Sequence, residues 1–201
     1  MIGFIRGLVF EKQAPHVVLD VNGIGYNVET PMSSFFNLPA VGEQVQLRTH
    51  LVVREDAHIL YGFLSEQERA LFRSLIKVNG VGPKVALGIL SGMSVDDFCA
   101  SIQDSNIAAL VRLPGIGKKT AERLVIDMRD RLPEQVASGS MGASNDSALM
   151  AAISPLEEAV SALVALGYKQ QDADKRVRAV AKDGADSEQL IRAALQSALK
   201  K

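Results

Sequence analysis

Two stretches, LIKVNGVGPKVALGIL at residues 75–90 and LVRLPGIGKKTAERLV at residues 110–125, decide how this chain is read. Superposed in one register, they match Leu75 to Leu110, Gly80 to Gly115, Gly82 to Gly117, Lys84 to Lys119 and Ala86 to Ala121. Each copy runs helix, apolar residue, one variable residue, Gly-apolar-Gly, basic residue, helix. The first glycine lets the chain leave a helix through a backbone conformation that other residues disfavour, and the second puts no side chain between the main chain and an approaching ligand. The amides that follow, around Gly82 to Lys84 and Gly117 to Lys119, are donors without intrahelical acceptors at a helix N-terminus, where the dipole favours an anion. A phosphate fits there, within reach of Lys84, Lys118 and Lys119. Asn79 in the first turn and Arg123, about one helical turn beyond the second set of amides, complete the candidate DNA-binding residues.

The pattern resembles the helix-hairpin-helix motif, which grips DNA backbones without reading bases. Other phosphate motifs fail on inspection. An ATP-binding loop needs Gly-x4-Gly-Lys-Ser/Thr, but Gly117-Lys118 is followed by Lys119 and the position five before Gly117 is Arg112. A dinucleotide fingerprint needs glycine where Val85 and Thr120 stand, and a preceding strand. A solenoid needs at least three repeats, and only two exist. One Gly-x-Gly is as readily a plain interhelical turn; two copies with lysine at the same offset favour phosphate binding.

Outward from the repeat, the chain changes grammar three times. Residues 2–64 read as strands: IGFIRGLVF, HVVLDV, YNVET, QVQLRTHLVV and HILYGF, with Asn22-Gly23 as a tight-turn signal and a brief helix near Ser33 to Asn37. Five short strands predict an OB-type β-barrel over residues 1–64. Ser65 with Glu68 predicts a capping box, and helix starts recur near Ser94 (with Asp97) and Ser105, giving a helical middle domain over 65–133 that ends before Pro133. Residues 134–154, rich in Ala, Ser, Gly and Asn, read as a flexible linker spanning on the order of 25 Å. Ser154-Pro155-Leu156-Glu157 restarts order, and helices are predicted at about 155–166, 170–182 and 187–200, broken at Asp183-Gly184. This makes 155–201 a UBA-like three-helix domain and the whole an α+β multidomain chain.

Bulk properties narrow the function. The formal net charge of −1 over 201 residues offers no general attraction to nucleic acid, so a DNA partner must be held by local cations and backbone amides. Cys99 is the one cysteine, which excludes an internal disulfide and a cysteine-based zinc site. His16, His50 and His58 lack metal-ligand spacing, so neither metal nor cofactor is expected. The opening MIGFIRGLVFEK has no signal-peptide pattern, which predicts a cytoplasmic protein with no membrane contact. Asp127 and Asp130, after the second hairpin, are where a glycosylase or nuclease would keep a catalytic acid, although Arg129 and Arg131 beside them suit an ordinary charged helix face. A single-stranded DNA adaptor would instead need stacking aromatics on the barrel, for which Phe4, Tyr26, Tyr61 and Phe63 are the available set.

The barrel opening MIGFIRG, the LVVREDAHILYGF hairpin, the paired VNGVGPK and LPGIGKK motifs and a tail ending LIRAALQSAL together resemble the RuvA family over the whole chain. That resemblance implies a subunit without an active site of its own that binds four-way (Holliday) junctions in recombination, DNA repair and the SOS response. It implies four subunits in a square, with an octamer on DNA as a further assembly. Glu55 and Asp56, which alone would be two solubilising acids on a turn, then form a central pin that repels phosphates. The tail resembles the family's motor-binding domain, with Leu163, Leu166, Tyr168 and Leu195 as candidate contacts to the RuvB ATPase. The RuvC resolvase is the further partner implied.

Overall fold

The computed structural model describes residues 1–129, 154–181 and 186–199. They fall into two compact units that divide inside the stretch 130–153. The predicted linker, Asp130, Arg131, Pro133 and the Asp183-Gly184 break lie outside the described residues.

Alternation with a period of two builds the first unit's barrel. Strand β1 (Phe4–Gln13) turns Ile5 and Val9 inward and Phe4, Leu8 and Phe10 outward. β2 (His16–Val21) and β3 (Ile24–Glu29) follow as a hairpin whose two linking residues both have positive φ, Asn22 at 53° and Gly23 at 86°. Such angles match the twist of the flanking strands. Asp20 steadies the turn, its Oδ1 accepting the Gly23 N–H at 2.7 Å. After a short helix α1 (Met32–Phe36), strands β4 (Gln44–Val53) and β5 (His58–Phe63) close the barrel in the order β1-β2-β3-β5-β4, with β3 and β5 parallel. Closure runs through a short seam, Val28 beside Leu60 and Glu29 beside Tyr61, and encloses a core of Ile5, Val9, Val17, Leu19, Val28, Val45, Leu47 and Leu60.

The helices of the same unit grow from the barrel wall. In α2 (Glu66–Leu75), the Ser65 Oγ accepts the Glu68 N–H at 3.1 Å, so half of the predicted capping box forms. The other half does not: the Glu68 carboxylate accepts from Ser33 Oγ (2.5 Å) and Ser34 Oγ (2.6 Å) on α1 instead. Ser34 is buried, and a buried hydroxyl costs more when unpaired than an exposed helix end that water can satisfy. Phe72, fully buried on α2, sits with ring centroids 4.9 Å from Tyr61, 5.0 Å from Phe63 and 5.7 Å from His50. Arg69 adds polar stitches, donating through Nη1 to the Gly3 carbonyl (2.7 Å) and pairing through Nη2 with Glu66 (2.6 Å). The barrel residues Tyr61 and Phe63 therefore belong to the same buried cluster as the helices.

Four further helices complete this unit: α3 (Pro83–Gly92), α4 (Val95–Gln103), α5 (Ile107–Val111) and α6 (Lys118–Arg129). Ser94 caps α4, its Oγ accepting the Asp97 N–H at 3.0 Å. The start expected near Ser105 falls one residue later. Ser105 itself takes φ 53° to end α4, and Asn106 caps α5, its Oδ1 accepting the Ala109 N–H at 3.1 Å.

The second unit holds α7 (Pro155–Ala165), α8 (Gln170–Val180) and α9 (Ser187–Leu199). Ser154 and Glu157 form a complete capping box, and Gly167 (φ 98°) turns the chain after α7. Its core among the described residues is Ala159, Leu163, Ala173, Val177, Leu190 and Ala194, three of them alanines, a small apolar payload for three helices. Among the described residues no single helix is long and apolar enough to cross a membrane.

His50 gives the barrel–helix seam a pH dependence. Burial, then the nearby Arg73 and Arg69 charges, hold its pKa below the ordinary 6.5. Its Nδ1 accepts from Arg73 Nε at 3.4 Å, which needs the neutral ring. The unfolded chain thus binds this proton more readily than the folded one, so stability is present in full above pH 6.5 and lost as pH falls below it. Thermal unfolding from pH 7.5 down to pH 5 should show a fall in Tm that is smaller in His50→Gln; parallel curves would remove the effect.

Candidate nucleic-acid interface

The two hairpins are copies in geometry as well as in sequence. In the first, the Val78 N–H donates to Leu75 O (3.0 Å), Val81 to Val78 O (3.0 Å) and Ala86 to Gly82 O (3.0 Å). In the second, the matching bonds run Leu113 to Leu110 (3.1 Å), Ile116 to Leu113 (3.2 Å) and Ala121 to Gly117 (2.9 Å). Gly80 and Gly115 take φ of 87° and 79°, a region that disfavours any side chain. Each turn hangs on matched apolar anchors that are buried together: Leu75 with Leu110, Val78 with Leu113, Val81 with Ile116 and Ala86 with Ala121.

What this scaffold presents is bare main chain. A Cβ placed on Gly82 or Gly117 would meet nothing within 4 Å, so both face open space. Gly82 caps α3 without any side-chain hydrogen bond, and Pro83 at the first helical position has no N–H. This trims the sequence expectation: of the donors after the first hairpin, Lys84 and Val85 remain. After the second hairpin the set is Lys118, Lys119 and Thr120, because only the fourth amide of α6 reaches back to Gly117. Lys84, Lys118 and Lys119 are exposed around these amides, as are Asn79 and Arg123. Every charged residue in 77–84 and in 112–121 is a cation, a local signal that the net charge hides. Lys84 also lines a cleft with His16, Glu29 and Thr30, where α3 lies along the barrel.

Arg123 is not simply a lysine-like companion to the second hairpin. Its Nη1 donates to the Asn79 carbonyl at 3.1 Å, across to the first hairpin. Sequence spacing gave no hint of this hydrogen bond, which arises only when α6 packs beside the first turn.

The acidic turn between β4 and β5 is exposed at Glu55 and Asp56, and the Arg54 N–H donates to the Ala57 carbonyl at 2.8 Å to close it. Among the described residues neither carboxylate forms an ion pair. In the tail, Leu163 is fully buried in the unit's own core, which takes it off the outer surface. Leu166 is 62% exposed, Leu195 is half-buried, and Tyr168 packs against the core with Arg176 5.6 Å from its ring centroid. Of the barrel aromatics weighed as a stacking platform, Tyr61 and Phe63 are buried, Tyr26 is half-buried and Phe4 alone is exposed. Asp127 is half-buried on α6.

A closed five-strand barrel fused to paired glycine hairpins defines the class: a helix-hairpin-helix protein on an OB-like base. Family descriptions agree along the chain: "RuvA N terminal domain" matches residues 1–62, "SAM-like Helix-hairpin-helix tandem" residues 72–130 and "RuvA, C-terminal domain" residues 154–199. A protein from Methylococcus capsulatus called Holliday junction branch migration complex subunit RuvA is 56% identical over 201 residues, with 100% of both chains covered. Proteins of the same name from Shewanella frigidimarina and Thioalkalivibrio sulfidiphilus are each 56% identical, over 99% and 100% of this chain and the whole of each relative. The chain belongs to the RuvA family.

The two glycines of each hairpin should separate in their effects. Gly80→Ala forces a Cβ into positive φ and should cost about 1–2 kcal/mol of stability. Gly117→Ala enters open space and should leave the denaturant midpoint nearly unchanged. Equal midpoints for the two variants would contradict the distinct roles.

Proposed function

We propose that this chain binds four-way junction DNA by its sugar-phosphate backbone and serves as the non-catalytic subunit of a branch-migration complex. The observation that carries this is the superposable pair of hairpins, each baring helix-start amides beside lysines. Donors of this kind hold phosphate oxygens and carry no base sequence information, which suits a protein that must let DNA slide. Asn79, Gly80, Gly82 and Lys84 form one binding point, and Gly115, Gly117, Lys118 and Lys119 the other, with Arg123 between them.

Glu55 and Asp56 act at the junction centre. Two exposed carboxylates on a two-strand tip, neither in an ion pair among the described residues, repel phosphates and keep the crossing strands apart. In a homotetramer four such tips meet at one point, and an octamer would enclose the DNA from both sides. The tail recruits the RuvB ATPase, which supplies the ATP hydrolysis; of the four candidate contacts Leu166, Tyr168 and Leu195 reach the surface, whereas Leu163 belongs to the unit's own core. A RuvC resolvase shares the complex, and the setting is cytoplasmic recombination and DNA repair. An adaptor for single strands is the weaker reading, since burial of Tyr61 and Phe63 removes half of its stacking set.

Titration of a labelled four-way junction against equal-length duplex and single strand tests the reading, with tight binding expected for the junction alone; equal affinity for all three overturns it. Lys119→Ala should weaken junction binding and flatten its salt dependence by about 0.9 in log–log slope for each phosphate no longer neutralised. An unaltered slope would mean that Lys119 touches no phosphate. Glu55→Gln with Asp56→Asn should hold or tighten DNA binding while eroding junction preference or migration rate, and parental values of both would remove the pin.

A further inference from the structure

The two hairpins are unequal in their donors, and the register shows where. The alignment that maps Leu75 onto Leu110 maps Pro83 onto Lys118. The first hairpin therefore lacks one amide and one cation that the second possesses. The same alignment maps Asn79 onto Pro114 and Gly88 onto Arg123. In space these pairs are exchanged between copies. Arg123 of the second copy reaches the Asn79 carbonyl of the first (3.1 Å), and a Cβ on Gly88 of the first would lie 3.6 Å from the Pro114 carbonyl of the second. Each helix thus lays the same position over the other copy's turn, once as glycine and once as arginine.

The arginine arrives where the deficit is. A Cβ on Gly80 would lie 3.9 Å from the Arg123 Nη1, which places the guanidinium beside the positive-φ glycine that opens the first site. One carbonyl uses one of the guanidinium's five N–H donors, and the group is exposed. The planar fork of arginine suits bidentate recognition of a phosphate better than a lysine point charge does.

We infer that Arg123 serves the first hairpin: its bond to the Asn79 carbonyl buttresses that turn, and its remaining donors meet the phosphate seated on the Lys84 and Val85 amides. It replaces the amide and cation that Pro83 denies this site, so that, besides the matched Lys77 and Arg112, both sites carry two cations, Lys84 with Arg123 and Lys118 with Lys119. The first phosphate site is then built from both halves of the repeat, and neither half alone is complete. This inference rests on the phosphate-binding reading above.

A double-mutant cycle on the full chain with a synthetic four-way junction tests it, read by fluorescence anisotropy over a range of salt. Arg123→Ala should weaken binding and lower the salt slope, with only a small fall in Tm because the Asn79 bond it loses is exposed. Combined with Lys84→Ala, the joint loss of affinity should differ from the product of the single losses by at least about twofold, the coupling of groups that share one ligand. Combined with Lys119→Ala, the losses should multiply. Arg123→Lys, which keeps the charge and removes the fork, should recover only part of the affinity. Coupling to Lys119 and not to Lys84, or simple multiplication with both, overturns the cross-hairpin assignment; an unchanged salt slope in Arg123→Ala overturns its role at a phosphate. If Lys84→Ala and Lys119→Ala both leave the slope untouched, the phosphate reading itself has failed, a result distinct from either.

Discussion

The structure depends on holding main-chain N–H groups unpaired at the protein surface without letting them wander. A helix start leaves such donors free, but a free donor is useful to a ligand only if it stays fixed. Here the fixing is done from below. The buried anchors Val78 and Val81 in one turn, and Leu113 and Ile116 in the other, pin each Gly-apolar-Gly to the helical core. The apolar residue between the glycines points inward for this reason, while the glycines face out. Removing an anchor would blur the placement of those amides although the anchor itself is buried.

The same core extends into the barrel, and this ties the acidic turn to the glycine hairpins. Phe72 packs on Tyr61 and Phe63 of β5, His50 of β4 lies against the same ring, and Glu68 bonds two serines of α1. Strands β4 and β5 carry the Glu55-Asp56 turn at their far ends. Because α2 is bonded to those strands by aromatic packing and by Arg69, the acidic tip and the glycine hairpins belong to one unit. On the proposed function, grip on the arms and repulsion at the crossing then act as one geometry. A net charge near zero is compatible with this, since cations gather at residues 77–84 and 112–121 while Asp96, Asp97 and Asp104 on and beside α4 balance them elsewhere.

The second unit follows a different economy. Among the described residues its core, half of it alanine, leaves Leu156, Val164 and Leu166 exposed on and just beyond α7. A surface of that kind has apolar area to offer a partner, and a domain so small gains stability when it docks.

Local chemistry by itself determined a great deal. Short runs that alternate or cluster β-branched and apolar residues marked all five strands, Asn22-Gly23 marked the hairpin, and the self-alignment at Leu75 and Leu110 exposed the repeat, because each signal lies within a few consecutive residues. The family was legible for the same reason, in short motifs at characteristic separations. Tertiary structure alone decided what depends on partners distant along the chain. Glu68 left its own helix end for Ser33 and Ser34, Leu163 and Tyr61 became core, and Ser105 yielded the cap to Asn106. Arg123 crossed to the other hairpin. A side chain's spacing tells which face of a helix it occupies, but not which element packs against that face; burial and long-range hydrogen bonds are settled by that second fact.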